Sequence, residues 1–209
     1  AEWTDPNPTI GSDTLVSWFN QAVAMQPKST ATWFMGKTLT YAALNEQVVR
    51  AAAGLTQLGV HRGDRVAVAL PNCPQHVIAV TAILRLGATV VEHNPLYTAA
   101  ELQPQFEDHG ARVAIVFDRV ADTFASLSKS TQLETVVAVN MLEETPLHLR
   151  AALSLPIPPV TKLRAELTQP APGAMPWREF IRQRSRSVHF PQIAQDDTAF
   201  ILYTSGTSG

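Results

Sequence analysis

The chain has 209 residues, of which 45% are hydrophobic and 16% are charged, a balance typical of a folded globular protein rather than a disordered one. The formal net charge of −2 leaves no broad basic surface, so the composition argues against a nucleic-acid partner. A single cysteine, Cys73, cannot form a disulfide within the chain and fits a reducing compartment such as the cytoplasm.

Membrane insertion and secretion are not indicated by the sequence. No run of 18 apolar residues predicts a membrane-spanning helix. The first residues carry neither the basic region nor the apolar region of a signal peptide. We therefore expect a cytoplasmic protein.

The first part of the chain predicts a helix, a hairpin and a second helix. The expected spans are a helix that ends before Pro27, strands at 30–34 and 38–39, and a helix over 41–58. Ser12 or Asp13 can cap the first helix, because either side chain accepts a hydrogen bond from a free backbone N–H. Gly59 suits the left-handed residue that closes the second helix.

Short connections continue this alternation. The expected strands are 65–70, 88–91, 112–117 and 135–139, and the helices between them are 75–86, 98–109 and 120–128. Thr98 and Glu101 form a capping box, and Gly110 follows the same helix. Strands that are apolar throughout suit a parallel sheet covered on both sides. We predict an α/β fold, a parallel-rich sheet with helices on both faces, whose N-terminal α/β subdomain spans 1–139.

Proline interrupts the pattern between residues 140 and 191. Eight of the 15 prolines lie there, and only 177–184 has the character of a short helix. A stretch of this length without regular structure is unusual inside a compact domain and is often functional or mobile. We predict a proline-rich irregular excursion over 140–191, after which 192–209 returns to the core.

The last residues combine a strand with a loop rich in glycine and hydroxyl groups. Residues 198–203 are apolar and β-branched, which predicts a buried strand. The loop that follows comprises Thr204, Ser205, Gly206, Thr207, Ser208 and Gly209. Its glycines allow a close backbone approach, and its N–H and hydroxyl groups can surround an anion, most simply a phosphate. It is not a Walker loop, since two residues rather than four separate the glycines. The alternative is a flexible Ser/Gly tail.

Tyr203 followed by Thr-Ser-Gly-Thr-Ser-Gly resembles the phosphate-binding signature of the AMP-forming acyl-CoA synthetases, which belong to the adenylate-forming superfamily. Ser208 stands where that signature usually has Thr, and the Pro-Lys-Gly that normally follows is not in this chain. Earlier segments agree with the family: Leu-Thr-Tyr-Ala-Ala-Leu from Leu39 and Gly-Asp-Arg-Val from Gly63. Asn-Pro-Leu-Tyr-Thr from Asn94 is similar to the long-chain fatty-acyl branch.

The resemblance implies a two-step ligase reaction. A fatty acid is activated by ATP as an acyl-adenylate with Mg²⁺ at the phosphates, and coenzyme A then takes the acyl group. Thr204, Ser205 and Thr207 are expected to supply hydroxyl donors to the phosphates. Gly206 and Gly209 are expected to allow close backbone approach, with Ser208 completing the loop.

The same resemblance places the catalytic lysine, the Mg²⁺ ligand, the adenine site and the acyl pocket further along the family's chain. No catalytic residue and no metal ligand are therefore predicted within these residues. We expect the chain to be an N-terminal fragment that is inactive alone and needs the C-terminal remainder of the protein as its partner. A homodimer is left open.

A histidine and a basic cluster are further candidates for function. His93 follows a predicted strand, where α/β sheets bind ligands, and is a candidate for a loop on the substrate side, although a lone histidine is more often a polar loop residue.

A basic cluster lies near Trp177 and Phe180: Arg178, Arg182, Arg184 and Arg186. The stretch 147–167 mixes leucines with Arg150, Lys162 and Arg164. Together with the basic cluster it could touch an anionic membrane surface peripherally, but a solvated face over a hydrophobic patch is the simpler explanation.

Other functions remain open at this stage. An aryl-CoA ligase, an enzyme that loads a carrier protein and a luciferase-like enzyme would share the adenylation step. A non-catalytic α/β module that ends in a Ser/Gly tail would share only the fold. Residues beyond 209 would separate the enzymes from the module.

Overall fold

The computed structural model describes residues 13–182 and 188–204. The helices are α1 Leu15–Met25, α2 Tyr41–Gln57, α3 Pro74–Arg85, α4 Ala99–His109, α5 Ala121–Leu127, α6 Leu147–Leu153, α7 Pro158–Leu167 and α8 Trp177–Arg182. The strands are β1 Thr30–Phe34, β2 Lys37–Thr40, β3 Arg65–Ala69, β4 Thr89–Glu92, β5 Val113–Phe117, β6 Thr135–Val139, β7 Met175–Pro176 and β8 Phe200–Leu202. Short 3₁₀ turns at Asp118–Val120 and Met141–Glu144 follow β5 and β6.

Six of the strands form one sheet in the order β7-β6-β5-β3-β4-β8, and every pair in it is parallel. The central strand β3 pairs with β4 through Val66 and Val90 and with β5 through Ala67 and Ala114. β1 and β2 form the separate antiparallel hairpin that the turn at Gly36 predicts. Because all six strands run the same way, their carboxyl ends share one edge of the sheet.

The two faces of the sheet carry two separate apolar cores. Val66 and Val68 of β3 contribute to the core under α2, α3 and α8, whereas Ala67 and Ala69 contribute to the core under α4 and α5. This alternation follows from the two-residue period of a strand. Apolar strands with helices on both sides confirm the predicted α/β fold.

Local signals account for the ends of α2 and α4 and for the start of α1. Thr40 and Thr98 cap α2 and α4 through bonds from the backbone of Ala43 and Glu101. Gly110 closes α4 with φ of 60°. The predicted cap of α1 is wrong: Thr14 rather than Ser12 or Asp13 accepts from the Ser17 N–H, because the Ser17 hydroxyl completes a capping box with Thr14.

Residues 140–191 are more regular than predicted. They contain α6, α7, β7 and α8, of which only the last was expected, and α8 is described to Arg182. Trp177 and Phe180 of α8 are 1% and 0% exposed in the core against α2, and β7 extends the sheet beyond β6. This part of the chain therefore completes the core as well as crossing the surface.

β8 is an edge strand and is less buried than predicted. It spans three residues rather than 198–203, and Leu202 is 69% exposed. Among the described residues β8 pairs with β4 alone, so one side of the strand lacks a neighbour. In the described part of the chain, no helix has the length and apolar character needed to cross a bilayer.

Candidate functional site

The candidate site lies at the carboxyl edge of the sheet, where β4 and β8 end side by side. Glu92 of β4 is paired with Leu202 of β8, so the next residues, His93 and Tyr203, leave the sheet together. Their rings stack with centroids 6.1 Å apart and an angle of 11°. Thr204 follows Tyr203 and is exposed. The other predicted phosphate-binding residues, Ser205, Gly206, Thr207, Ser208 and Gly209, lie outside the described residues.

Helix α4 holds Tyr203 from the other side. The Tyr203 hydroxyl donates to the Asp108 carboxylate at 2.6 Å and lies 3.4 Å from the Gln105 carbonyl. Burial raises the pKa of Tyr203 to about 12, with the Asp108 carboxylate acting in the same direction. The phenol therefore stays protonated and keeps its bond to Asp108 over the whole neutral range.

His93 is buried rather than open to solvent, with 5% of its surface exposed. Its Nδ1 lies 2.9 Å from Gln105 Oε1, and its Nε2 lies 3.2 Å from His109 Nε2. The ring also stacks with Phe106 at 5.1 Å. Burial lowers the pKa of His93. Both ring nitrogens are engaged within the protein, and a role toward substrate remains a prediction.

His109 completes this buried group. Its Nδ1 accepts a hydrogen bond from the Ala111 N–H at 3.0 Å, and 4% of the residue is exposed. Burial, followed by the neighbouring His93, lowers its pKa from 6.5 to about 3. The imidazole is therefore neutral at physiological pH.

Sequence reasoning had singled out His93 and the terminal loop but had assigned no role to Gln105, Asp108 or His109. Their spacing does predict that two of them are neighbours, because Gln105 and His109 are four residues apart in a helix and share one face. What the sequence could not show is that this face of α4 packs against the ends of β4 and β8.

The loop before β8 is fixed by an ion pair and by the sheet. Arg62 donates to both carboxylate oxygens of Asp197 at 2.8 and 2.9 Å, and Asp197 also accepts from the Ala194 N–H. The Thr89 hydroxyl donates to the Thr198 carbonyl at 3.0 Å. These bonds set where β8 begins and therefore where Tyr203 emerges.

A cleft of about 280 Å³ opens elsewhere, between α1 and residues 193–199. It is lined by Gly87 and Ala88, which precede β4, and therefore lies at the amino edge of the sheet. It is separate from the loop that begins at Thr204.

The described residues also bear on three other candidates: Cys73, sets of possible metal ligands, and the basic cluster near Trp177. Cys73 is buried, and burial raises its pKa to about 11, so it is a poor nucleophile. Within residues 13–182 and 188–204, no three His, Cys, Asp or Glu side chains come together as metal ligands would. In the basic cluster, Arg178 pairs with Glu143 at 2.9 Å and Arg182 is exposed, while Arg184 and Arg186 lie outside the described residues.

Comparisons with known proteins bear on the family of this chain. The family model described as AMP-binding enzyme matches residues 19–209. A long-chain-fatty-acid–CoA ligase of Haemophilus influenzae is 33% identical over 199 residues, covering 94% of this chain and 35% of that protein. The corresponding ligase of Escherichia coli O6:H1 is 32% identical over 197 residues, covering 93% of this chain and 35% of that protein. The chain thus spans about a third of the length of these curated relatives.

A solved structure extends the comparison to the fold. The crystal structure of an anthranilate CoA ligase in complex with anthranoyl-AMP matches with a TM-score of 0.75 and 20% identity, covering 95% of this chain and 33% of that chain. At this identity the match shows the fold alone. The family match over most of the chain, however, confirms the resemblance that Tyr203 and the following loop indicated. The chain belongs to the family of AMP-binding enzymes, the adenylate-forming ligases.

Proposed function

We propose that the protein containing this chain is a ligase that joins a long-chain fatty acid to coenzyme A at the expense of ATP. In the first step a carboxylate oxygen attacks the α-phosphorus of ATP, the bond to the β-phosphate breaks, and pyrophosphate leaves. In the second step the thiol sulfur of coenzyme A attacks the acyl carbon of the adenylate. The thiol proton is released, and AMP departs with the electron pair of the broken bond.

One observation carries the proposal: β8 delivers Tyr203 and Thr204 to the carboxyl edge of a parallel sheet. Ligands of open α/β sheets bind outside this edge. The sequence that continues from Thr204 has the hydroxyl groups and glycines expected of a phosphate cradle. The support for a fatty acid is narrower and comes from the names of relatives that are 32–33% identical.

Mg²⁺ would supply charge neutralisation at the phosphates when bound. The described residues bring together no set of side chains that would hold it, so no step is assigned to it here. Coenzyme A and ATP are proposed as substrates on the family's chemistry. We expect residues 1–209 alone to be inactive.

The proposal is tested by exchange of labelled pyrophosphate into ATP, catalysed by the full-length protein in the presence of short, medium and long fatty acids. Exchange that is greatest with long acids is the expected result, and thioester formation with coenzyme A should follow the same order. Exchange with aryl or amino acids instead would contradict a fatty acid as the substrate. An absence of exchange with every acid would overturn the reaction. Residues 1–209 alone, which we expect to be inactive, serve as the control.

A matched pair of variants tests the phosphate-binding loop. Thr207→Val removes the hydroxyl while keeping the shape of the side chain, whereas Thr207→Ser keeps the hydroxyl. We expect the first to lower exchange about tenfold or more and the second to retain most of it, since one lost hydrogen bond to a charged group costs about 1.5–3 kcal/mol. Equal activity in the two variants would argue against a phosphate contact from Thr207.

Peripheral contact with an anionic membrane is proposed as a second property. Helices α6 and α7 and the turn between them expose Leu147, Leu155, Ile157 and Leu163. Lys162 and Arg164 on α7 are exposed as well, so apolar and basic groups occur together. Reversal of both charges to Glu should weaken binding to vesicles with anionic headgroups, whereas the same change at exposed Lys28 and Lys129 should not. Equal binding of the two double variants would contradict the proposal.

Two further properties stay predictions. A homodimer would be recognised by sedimentation equilibrium of the full-length protein. A cytoplasmic location would be checked by cell fractionation, which also reports any membrane-bound share.

A further inference from the structure

The hydrogen bonds around His93 and His109 allow only one arrangement of protons. The Ala111 N–H can only donate, so His109 Nδ1 must accept, and the neutral His109 ring therefore carries its proton on Nε2. His109 Nε2–H then points at His93 Nε2, 3.2 Å away, which must accept.

The same reasoning fixes His93 and Gln105. With Nε2 of His93 accepting, its proton lies on Nδ1 and is donated to Gln105 Oε1 at 2.9 Å. In the opposite orientation, the Gln105 NH₂ group would donate to His93 Nδ1, and the proton of His93 would have to lie on Nε2. The Nε2–H groups of His93 and His109 would then face each other. The Ala111 N–H thus fixes the direction of every hydrogen bond in a series that runs from Ala111 through His109 and His93 to Gln105.

A charge on either ring would break this chain. A protonated His93 would turn its Nε2 acceptor into a donor directed at another donor. Both residues are also buried, at 5% and 4% exposure, where an unpaired charge is costly. Two neutral rings of opposite tautomer are therefore the state that satisfies every nitrogen.

Tyr203 contacts both rings of this pair. Its ring stacks on His93 and is tilted against His109, both at 6.1 Å, and its hydroxyl is held by Asp108. Phe106 stacks with His93 at 5.1 Å. Of the three side chains that contact Tyr203, Asp108 and His109 lie in the last turn of α4, so these contacts tie α4 to the residue that follows β8.

We infer that His93 and His109 act as a locked tautomeric pair that positions Tyr203, and with it the adjoining Thr204, at the carboxyl edge of the sheet. They are positioning residues and need not touch the substrate. The inference rests on the proposed function where it concerns ATP, but the tautomers can be measured without any substrate.

The first test is ¹⁵N NMR of the full-length protein labelled selectively at histidine, near neutral pH and without ligand. His93→Phe and His109→Gln variants assign the two signals. The expected result is a proton on Nδ1 of His93 and on Nε2 of His109. A positively charged ring, or the reverse tautomer at either residue, would overturn the pair.

The second test removes the hydrogen bonds in one variant and the stacking in another, and asks whether both are needed. His93→Phe keeps an aromatic ring against Phe106 and Tyr203 but removes both nitrogens. His93→Gln can still accept from His109 but cannot stack. We expect both to raise the KM for ATP about tenfold while the KM for the fatty acid stays within about twofold, because Tyr203 and Thr204 lead into the sequence proposed to bind the phosphates. His148→Gln, at an exposed histidine, is the control and should match the wild type.

The third test asks whether the effect passes through Tyr203. Tyr203→Leu removes the stacked ring, so adding His93→Phe to it should cause no further rise in the KM for ATP. Effects of the two changes that multiply would overturn positioning through Tyr203. If the wild-type protein shows no exchange with any acid, the proposed function fails, and the tautomers measured by NMR still decide whether the pair exists as inferred.

Discussion

At His109, burial sets how stability responds to acid. The pKa of this residue falls from 6.5 to about 3 in the folded protein, chiefly through burial. Between these values the unfolded chain binds a proton that the folded chain does not, so stability is lost as the pH falls from 6.5 toward 3. The slope approaches about 1.4 kcal/mol per pH unit for one proton. Urea unfolding at several pH values measures it.

His109→Gln provides the comparison, because it removes the titrating group. We expect its stability to depend less steeply on pH in this range than that of the wild type. His148→Gln, at an exposed histidine, is the control for the substitution itself. A His109→Gln variant with the wild-type slope would contradict the buried neutral state.

Cys73 offers a second measurement at the residue scale. The side chain is 6% exposed, and burial raises its pKa to about 11. Alkylation requires the thiolate, so at pH 8 the folded residue should react about a hundredfold more slowly than the unfolded one. Iodoacetamide labelling followed by mass spectrometry of the peptide containing Cys73 reports both rates. Fast labelling of the folded protein would show that the thiol is accessible and ionised.

At the scale of the elements, α2 and α8 pack so closely at Gly54 that there is no space for a side chain there. A Cβ built on Gly54 would lie 2.6 Å from the Phe180 ring and 2.7 Å from the Phe180 carbonyl oxygen. Gly54→Ala must therefore shift α8, at a cost of about 1–3 kcal/mol. Gly173→Ala is the matched control, because a Cβ there meets nothing within 4 Å. Thermal unfolding of both variants measures the difference, and equal stability would mean that α8 moves freely.

The elements also show where sequence signals suffice. The ends of α4 were predictable because Thr98, Glu101 and Gly110 act locally, and β6 was predicted with its observed bounds. Helix α7 differs from the irregular stretch that the prolines predict, because Pro158 and Pro159 occupy the first turn of a helix, where a missing N–H costs nothing. It also has no buried residue, so it lacks the apolar periodicity that reveals a helix.

The candidate site was predictable to a smaller extent. The local sequence after Tyr203 indicated a phosphate loop without any knowledge of the fold. The partners of His93 could not be read in the same way, because Gln105, Asp108 and His109 reach β4 and β8 only through the packing of α4. Such contacts between distant parts of a chain leave no mark on its local pattern.

For the whole molecule, one sheet draws on all three predicted segments. β3 to β6 come from 1–139, β7 from 140–191 and β8 from 192–209. Trp177 and Phe180 are buried in the same core as Leu55 and Ile78. The segment 140–191 should therefore unfold together with the rest of the chain rather than as a separate unit.

Trp177 tests this cooperativity. Trp177→Ala should cost about 3–5 kcal/mol, since it empties a site that is 1% exposed. Trp177→Phe should cost much less, because it keeps most of the volume and removes an indole N–H that has no partner among the described residues. If α8 belongs to the common core, circular dichroism and hydrogen exchange of α2 and β6 should report a loss of stability of the same size in Trp177→Ala. A loss confined to 140–191, with α2 and β6 still protected, would instead mean that this segment is a separate folding unit that only docks on the sheet.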